Sequence, residues 1–109
     1  MYSVKFSRTA AQDLDDAHDY ICGVLKNPTA AANLVLELES KLEGIREFPD
    51  SCGLVQDSYL KSLGIRFLLV KNFVAFLKVE ESLKEIQVVR FLYGKRQWAE
   101  ILQEKTSDS

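Results

Sequence analysis

The stretch RFLLVKNFVAFLKV, residues 66–79, decides the fold. Residues 66–70 and 73–79 are rich in the aromatic and branched side chains typical of strands, and Lys71-Asn72 between them has the length of a tight hairpin turn. Residues 80–84 form a second turn signal before another apolar segment, residues 85–92. Strands joined by connections this short pair in opposite directions. We therefore predict an antiparallel meander of three strands.

The first half of the chain has helical periodicity instead. Residues 2–6 alternate apolar and polar side chains, which predicts a short strand, and Ser7 or Thr9 can cap the helix that follows; Thr9 with Gln12 has the spacing of a capping box. Asn27-Pro28 breaks this helix, and a second helix is predicted for residues 29–47. The predicted buried stripes are Leu14, Ala17, Ile21, Val24 and Leu25 in the first helix, and Ala31, Leu34, Leu38, Leu42 and Ile45 in the second. Their short connection predicts an antiparallel hairpin.

These elements predict one α+β domain over residues 1–109: a strand, two paired helices, a three-strand meander and a short C-terminal helix. We expect the helices on one face of the sheet. Trp98, Ile101 and Leu102 are predicted to pack the last helix back onto the sheet, and residues 106–109 to form a frayed tail.

Composition excludes several classes of protein. The 109 residues are 47% apolar and 28% charged, as in ordinary globular domains. No apolar run reaches the roughly 18 residues of a membrane helix, and the N-terminus lacks the pattern of a signal peptide. Cys22 and Cys52 lack metal-type spacing, so we interpret them as reduced thiols in a cytoplasmic protein, Cys22 in the core. The single histidine, His18, is interpreted as a half-buried helix residue, and neither a metal nor a cofactor is predicted.

Charge is distributed unevenly along the chain. Residues 1–52 hold five bases and nine acids, whereas residues 53–96 hold eight bases and four acids. Arg66 begins a predicted strand, Arg90 lies late in the last one, and Lys95-Arg96 follow its end beside Tyr93. If Arg66 approaches this turn, the cluster could stabilise a phosphate or the charge of a phosphoryl-transfer transition state. The alternative is structural, with these bases paired to the acids Glu80, Glu81 or Glu100.

Short motifs in a fixed order resemble the RelE/ParE toxin superfamily. They are Ser7, Ala10, Asp13 and Leu14; Asn27 to Ala31; Phe48-Pro49; Gly64, Arg66 and Asn72; and Val88, Arg90, Tyr93, Gly94, Lys95 and Arg96. The resemblance covers nearly the whole chain. It implies the toxin of a type II toxin–antitoxin module, often a plasmid stabilisation or addiction system, neutralised by a cognate antitoxin.

RelE-like members cleave mRNA on the ribosome without a metal. On this alternative Arg66 and Arg96 resemble the phosphate-handling arginines, Lys95 is an accessory cation, and Tyr93 would replace the tyrosine that those enzymes carry at the position of Leu102. The basic pair that usually precedes the strand is reduced here to Lys61.

ParE-like members bind and poison DNA gyrase and need no nuclease residues. The long paired helices, the Asn-Pro join and the missing tyrosine favour this alternative, although Gln97 and Leu77 depart from the family pattern. Lys61, Arg66, Arg90, Lys95 and Arg96 are the predicted contacts for the target or the antitoxin. A third alternative is an inactive module of the same fold that only binds a partner.

Overall fold

A four-stranded sheet organises the molecule. The computed structural model describes residues 1–95 and 101–102. The strands are β1 (Ser3–Phe6), β2 (Arg66–Val70), β3 (Phe73–Glu80) and β4 (Glu85–Tyr93). Their order is β1-β4-β3-β2, and β2, β3 and β4 form the predicted antiparallel meander. The N-terminal strand joins this meander by pairing in parallel with β4, with Ser3 opposite Glu85 and Phe6 opposite Val88.

Two long helices pack on one face of the sheet. They are α1 (Arg8–Asp19), continued by a π-helical segment (Tyr20–Val24), and α2 (Pro28–Ile45). Ser7 caps α1 by accepting a hydrogen bond from the Ala10 N–H at 2.9 Å, and Asn27 caps α2 in the same way. The five-residue stripe predicted for α2 is buried throughout, so that prediction is confirmed.

The opposite face of the sheet is covered as well. Residues 58–62 form the short helix α3 (Ser58–Ser62), whose first turn is capped by the Asp57 carboxylate. Leu60 of α3 and Leu102 pack there against sheet residues such as Phe76 and Leu92. The prediction that helices occupy one face is therefore wrong, because a sheet with apolar side chains on both faces needs cover on both.

The C-terminal helix is described only in part. Ile101 and Leu102 have helical backbone, and Leu102 is buried as predicted. Arg96, Trp98 and the predicted tail, residues 106–109, lie outside the described residues.

Short 3-10 turns, Pro49–Ser51 and Glu81–Leu83, complete the described elements. Within residues 1–95 and 101–102, no helix combines the length and the apolar character needed to cross a membrane.

Candidate functional site

A groove of about 640 Å³ runs between the first helix and the end of the sheet. Its helix wall consists of Asp13, Asp16, Ala17, Tyr20, Ile21 and Leu25, and its sheet wall of Asn72, Phe73, Phe91, Leu92 and Tyr93. We call it the aromatic groove. Its volume lies in the range of about 300–1,000 Å³ found for ligand sites, and most of its lining is apolar.

Three rings form the floor of the aromatic groove. Phe73 and Phe91 stack with their centroids 5.1 Å apart and their planes 5° from parallel. Tyr93 meets Phe73 edge-on at 5.6 Å. These rings come together because Phe73 pairs with Tyr93 across β3 and β4. Tyr93 keeps 39% of its surface exposed, so the floor is partly open to solvent.

The sheet end of the groove depends on a close backbone contact. The Gly94 N–H donates to the Asn72 carbonyl at 2.8 Å, which ties the end of β4 to the hairpin turn between β2 and β3. A Cβ atom at Gly94 would lie 3.1 Å from that carbonyl oxygen. Lys71 and Lys95, both exposed, flank this contact. Lys71 is not among the contacts predicted from the sequence, although a two-residue hairpin turn necessarily lies at the sheet end where β4 ends.

The helix wall owes its shape to the π-helical segment. In this segment the Leu25 N–H donates to the Tyr20 carbonyl, an i to i−5 bond that replaces the α-helical pattern. The change of pitch turns side chains away from the core, so Tyr20, Val24 and Leu25 are 54%, 64% and 57% exposed. The prediction that Val24 and Leu25 belong to the buried stripe is wrong for this reason. Tyr20 and Leu25 face the groove instead.

Arg90 lies beneath the helix wall rather than on a surface. Its Nε and Nη2 donate to the Asp13 carboxylate at 2.7 and 2.9 Å, and the Phe91 N–H donates to the same carboxylate at 3.0 Å. The two side chains are only 11% and 12% exposed. Asp13 thereby fixes α1 along the part of β4 that extends past β1. Because its guanidinium is used inside the fold, Arg90 offers little surface to a partner, and its contact with a target or an antitoxin stays a prediction.

Arg66 lies at the far end of the sheet from Tyr93. It pairs with Leu77 in β3, whereas Tyr93 is level with Phe73 and Val70. Four residues of strand, about 13 Å, separate these two levels. The predicted approach of Arg66 to the turn at Lys95 is therefore wrong, because the meander register sends the start of β2 to the opposite end.

Local partners occupy the Arg66 guanidinium. It donates to the Cys52 carbonyl and lies 3.4 Å from the Asp50 carboxylate. Burial raises the pKa of the neighbouring Cys52 thiol, and the positive charge of Arg66 opposes this shift only in part. Arg66 thus anchors the loop that precedes α3. Lys61, in the last turn of α3, is exposed, and Arg96 lies outside the described residues.

Comparison with known proteins places these features in a family. The family described as "ParE toxin of type II toxin-antitoxin system, parDE" matches residues 4–98. The chain belongs to the ParE toxin family. Membership confirms the resemblance to the RelE/ParE superfamily, and the α+β fold agrees with it. The chain is thus a toxin component of type II toxin–antitoxin systems.

A solved structure supports the same assignment. A chain from "Chromosomal ParDE TA system from P. aeruginosa" superposes with a TM-score of 0.68 at 28% identity, covering 85% of the present chain and 96% of the other. A search among curated proteins finds no match. The family match over residues 4–98 includes the sequence positions that form both walls of the aromatic groove.

Proposed function

We propose that this ParE-family toxin arrests growth by binding and poisoning DNA gyrase, without being an enzyme, and that a cognate antitoxin neutralises it. The observation that carries the proposal is the separation of two residues, Arg66 and Tyr93, that a nuclease site would need to bring together. Arg66 and Tyr93 lie at opposite ends of the sheet, and Arg66 is already paired with Asp50.

The position at which RelE-like enzymes carry a tyrosine gives independent support. Leu102 stands there, and its side chain is buried against the sheet face opposite the two long helices. It has no ionisable group, and Tyr93 lies on the helix side of the sheet, where it borders the aromatic groove. General acid–base chemistry requires its groups within hydrogen-bond reach of one phosphate, which this arrangement does not favour.

Exposed cations remain the proposed contacts. Lys61 and Lys95 are exposed, and together with Arg96 they are proposed to bind gyrase or the antitoxin. Exposed charges steer association and change its rate more than they change the stability of the toxin itself.

The test uses purified gyrase, relaxed plasmid and ATP, with the antitoxin-free toxin added. We expect loss of supercoiling and accumulation of cleaved plasmid that stays attached to gyrase. The double variant Lys95→Ala/Arg96→Ala is expected to need a higher concentration for the same effect, whereas Lys78→Ala, which removes an exposed lysine from the middle of β3, serves as the control.

A second assay separates the alternatives. Primer extension on a defined mRNA in a reconstituted translation reaction should show no new 3′ ends when the toxin is present. Ends that appear only with ribosomes, together with unaffected gyrase, would replace the proposal by a RelE-like mRNA nuclease. A folded toxin that affects neither system and does not arrest growth on induction would instead be an inactive partner-binding module.

A further inference from the structure

The two outer edges of the sheet differ in how the chain covers them. Along β2, the Phe67 N–H donates to the Gly53 carbonyl at 3.0 Å, and the Lys41 ammonium group donates to the Leu69 carbonyl at 2.8 Å. The β2 edge is therefore occupied at both positions by its own chain. In the part of the chain that the structure describes, no strand borders the outer edge of β1. Such an edge offers unpaired N–H and C=O groups to a strand from another molecule.

The open part of the β1 edge is short. The Ser3 N–H donates to a β4 carbonyl at 2.9 Å, so the alternating backbone turns the N–H and C=O groups of Val4 and Phe6 outward. The outward groups of Tyr2 are already occupied, because its N–H donates to the Arg46 carbonyl and its carbonyl accepts the Arg46 Nε–H, both at 2.9 Å. After Phe6 the chain enters α1. Val4 and Phe6 are thus the β1 residues that can pair with an added strand.

These two residues allow a single full register with a second copy of the same chain. Copies related by a two-fold axis place their identical edges side by side in opposite directions. Val4 then lies opposite Phe6 of the second copy, and each of the two pairs exchanges both of its hydrogen bonds. An axis through Val4 would instead set Phe6 against Tyr2, and an axis through Phe6 would set Val4 against the first residue of α1. The full register would also cover the Phe6 side chain, which is 38% exposed.

Lys5 lies at the centre of that register. It would stand directly opposite Lys5 of the second copy, with the two Cβ atoms about 4.5–5.5 Å apart. Its side chain is 70% exposed, and its Nζ lies 3.3 Å from the Glu85 carboxylate. Glu85 belongs to β4, on the side of β1 away from the second copy, so it does not lie between the two lysines. Like charges directly opposite each other destabilise strand pairing, and lysine on an edge strand is a common protection against association between sheets.

We propose that Lys5 prevents a second copy of this chain from pairing with the β1 edge. The hydrogen-bonding groups of Val4 and Phe6 are self-complementary, whereas the charge between them is self-repelling. The toxin therefore keeps an open sheet edge without assembling through it. This inference is independent of the target that the toxin acts on.

Sedimentation equilibrium of the purified, antitoxin-free toxin measures the effect. Lys5→Thr removes the charge and introduces a residue suited to strands, so the dissociation constant of the dimer should fall by about tenfold relative to wild type. Lys5→Arg keeps the charge and should change this constant by less than about twofold. The matched control is Lys78→Thr, which removes an exposed lysine level with Lys5 across Gln87, but from an inner strand. It should also stay within about twofold of wild type, because an inner strand has no open edge.

A mixing experiment separates the effect of charge from that of strand propensity. Lys5→Glu alone sets glutamate against glutamate and should associate no more tightly than wild type. An equimolar mixture of wild type and Lys5→Glu sets lysine against glutamate in the same register. The mixed pair should therefore bind about tenfold more tightly than either protein binds itself, and added salt should weaken it. Thermal melts monitored by circular dichroism establish that each variant is folded.

Amide exchange followed by nuclear magnetic resonance locates the contact. In Lys5→Thr, the Val4 and Phe6 amides should become protected as the protein concentration rises, whereas the Ser3 amide, which already bonds to β4, should not change. Association that leaves the Val4 and Phe6 amides unprotected would use another surface and would overturn the inference.

Three other results would also overturn it. The first is a folded Lys5→Thr that associates no more tightly than wild type. The second is a mixture that binds no more tightly than its components, since the charge would then not decide the pairing; this measurement stands even if Lys5→Thr does not fold. The third is a wild-type toxin that already dimerises with its Val4 and Phe6 amides protected.

Discussion

Removing the Asp13 carboxylate should strongly destabilise the fold. This carboxylate accepts three hydrogen bonds, two from Arg90 and one from the Phe91 N–H, at 2.7, 2.9 and 3.0 Å. Asp13→Ala leaves the guanidinium buried without its counter-charge and the N–H without its acceptor. The Arg90 Nη1 is already buried with no hydrogen-bond partner in the described part of the chain, so no spare bond offsets the loss.

The magnitude follows from burial. Removing one partner of a buried ion pair costs about 3–5 kcal/mol. The whole free energy of unfolding of a small domain is about 5–15 kcal/mol. For a domain of this size, 1 kcal/mol lowers the melting temperature by about 4–8 °C, so Asp13→Ala should melt at least about 12 °C below wild type.

Urea unfolding followed by far-ultraviolet circular dichroism measures the change in the free energy of unfolding. Urea is uncharged, so it does not screen the ion pair. Asp15→Ala, which removes an exposed acid from the same helix, should stay within about 0.5 kcal/mol of wild type. The double variant Asp13→Leu/Arg90→Met should recover most of the loss, because it removes both charges together. A cost below about 1 kcal/mol for Asp13→Ala, or a double variant no more stable than it, would refute the reasoning.

Three further outcomes are expected. Gly94→Ala should lower the free energy of unfolding, because its Cβ would lie 3.1 Å from the Asn72 carbonyl oxygen. Gly44→Ala, which places a methyl group in open space within α2, should raise the free energy of unfolding by about 0.5–1 kcal/mol. Urea titrations of both variants measure these changes. A hydrogen bond from Gln87 lowers the pKa of Glu85, so ionised Glu85 stabilises the fold above its usual pKa of 4.5, and this stabilisation is lost as the pH falls through the lowered pKa. The difference in melting temperature between wild type and Glu85→Gln should therefore be largest near neutral pH and vanish in acid. A difference that stays constant with pH would contradict this. Burial raises the pKa of Cys52, so iodoacetamide should alkylate one thiol per native chain, detected as a single mass increment, and two per chain in urea.

Elements with strong periodicity could be predicted from the sequence. The buried stripe of α2 was correct at each position, because five apolar side chains recur at helical spacing over a uniform 18-residue helix. The hairpin of β2 and β3 was correct as well, with its turn at Lys71-Asn72. In both cases local spacing alone determines the structure.

The helix wall of the groove could not be predicted, since the π-helical segment is a change of pitch. A stripe drawn at a constant 3.6 residues per turn places Val24 and Leu25 in the core, whereas the wider turn of the π-helical segment brings them to the surface. No local signal in Tyr20–Val24 marks the change.

The roles of the arginines depended on register and on partners far away in the chain. Arg90 and Asp13 are 77 residues apart, and nothing in either neighbourhood identifies the other. Arg66 could have been placed correctly, because the two-residue turn after β2 sends the start of that strand away from the turn at Lys95. The spacing of the motifs identified the residue types typical of the family, whereas the register of the strands determines which of these residues lie close together.

The parallel pairing of β1 with β4 has a consequence for the time at which a newly made chain becomes a toxin. Among residues 1–95 and 101–102, the N-terminal strand, residues 3–6, pairs only with a strand that begins at Glu85, so it stays unpaired until that strand has been synthesised. The same late strand supplies Phe91 and Tyr93 to the groove and Arg90 to the tie with α1. Contacts this distant in sequence form late and slowly. We therefore expect a growing chain to lack both the sheet wall of the groove and the tie between β4 and α1 until β4 has been synthesised.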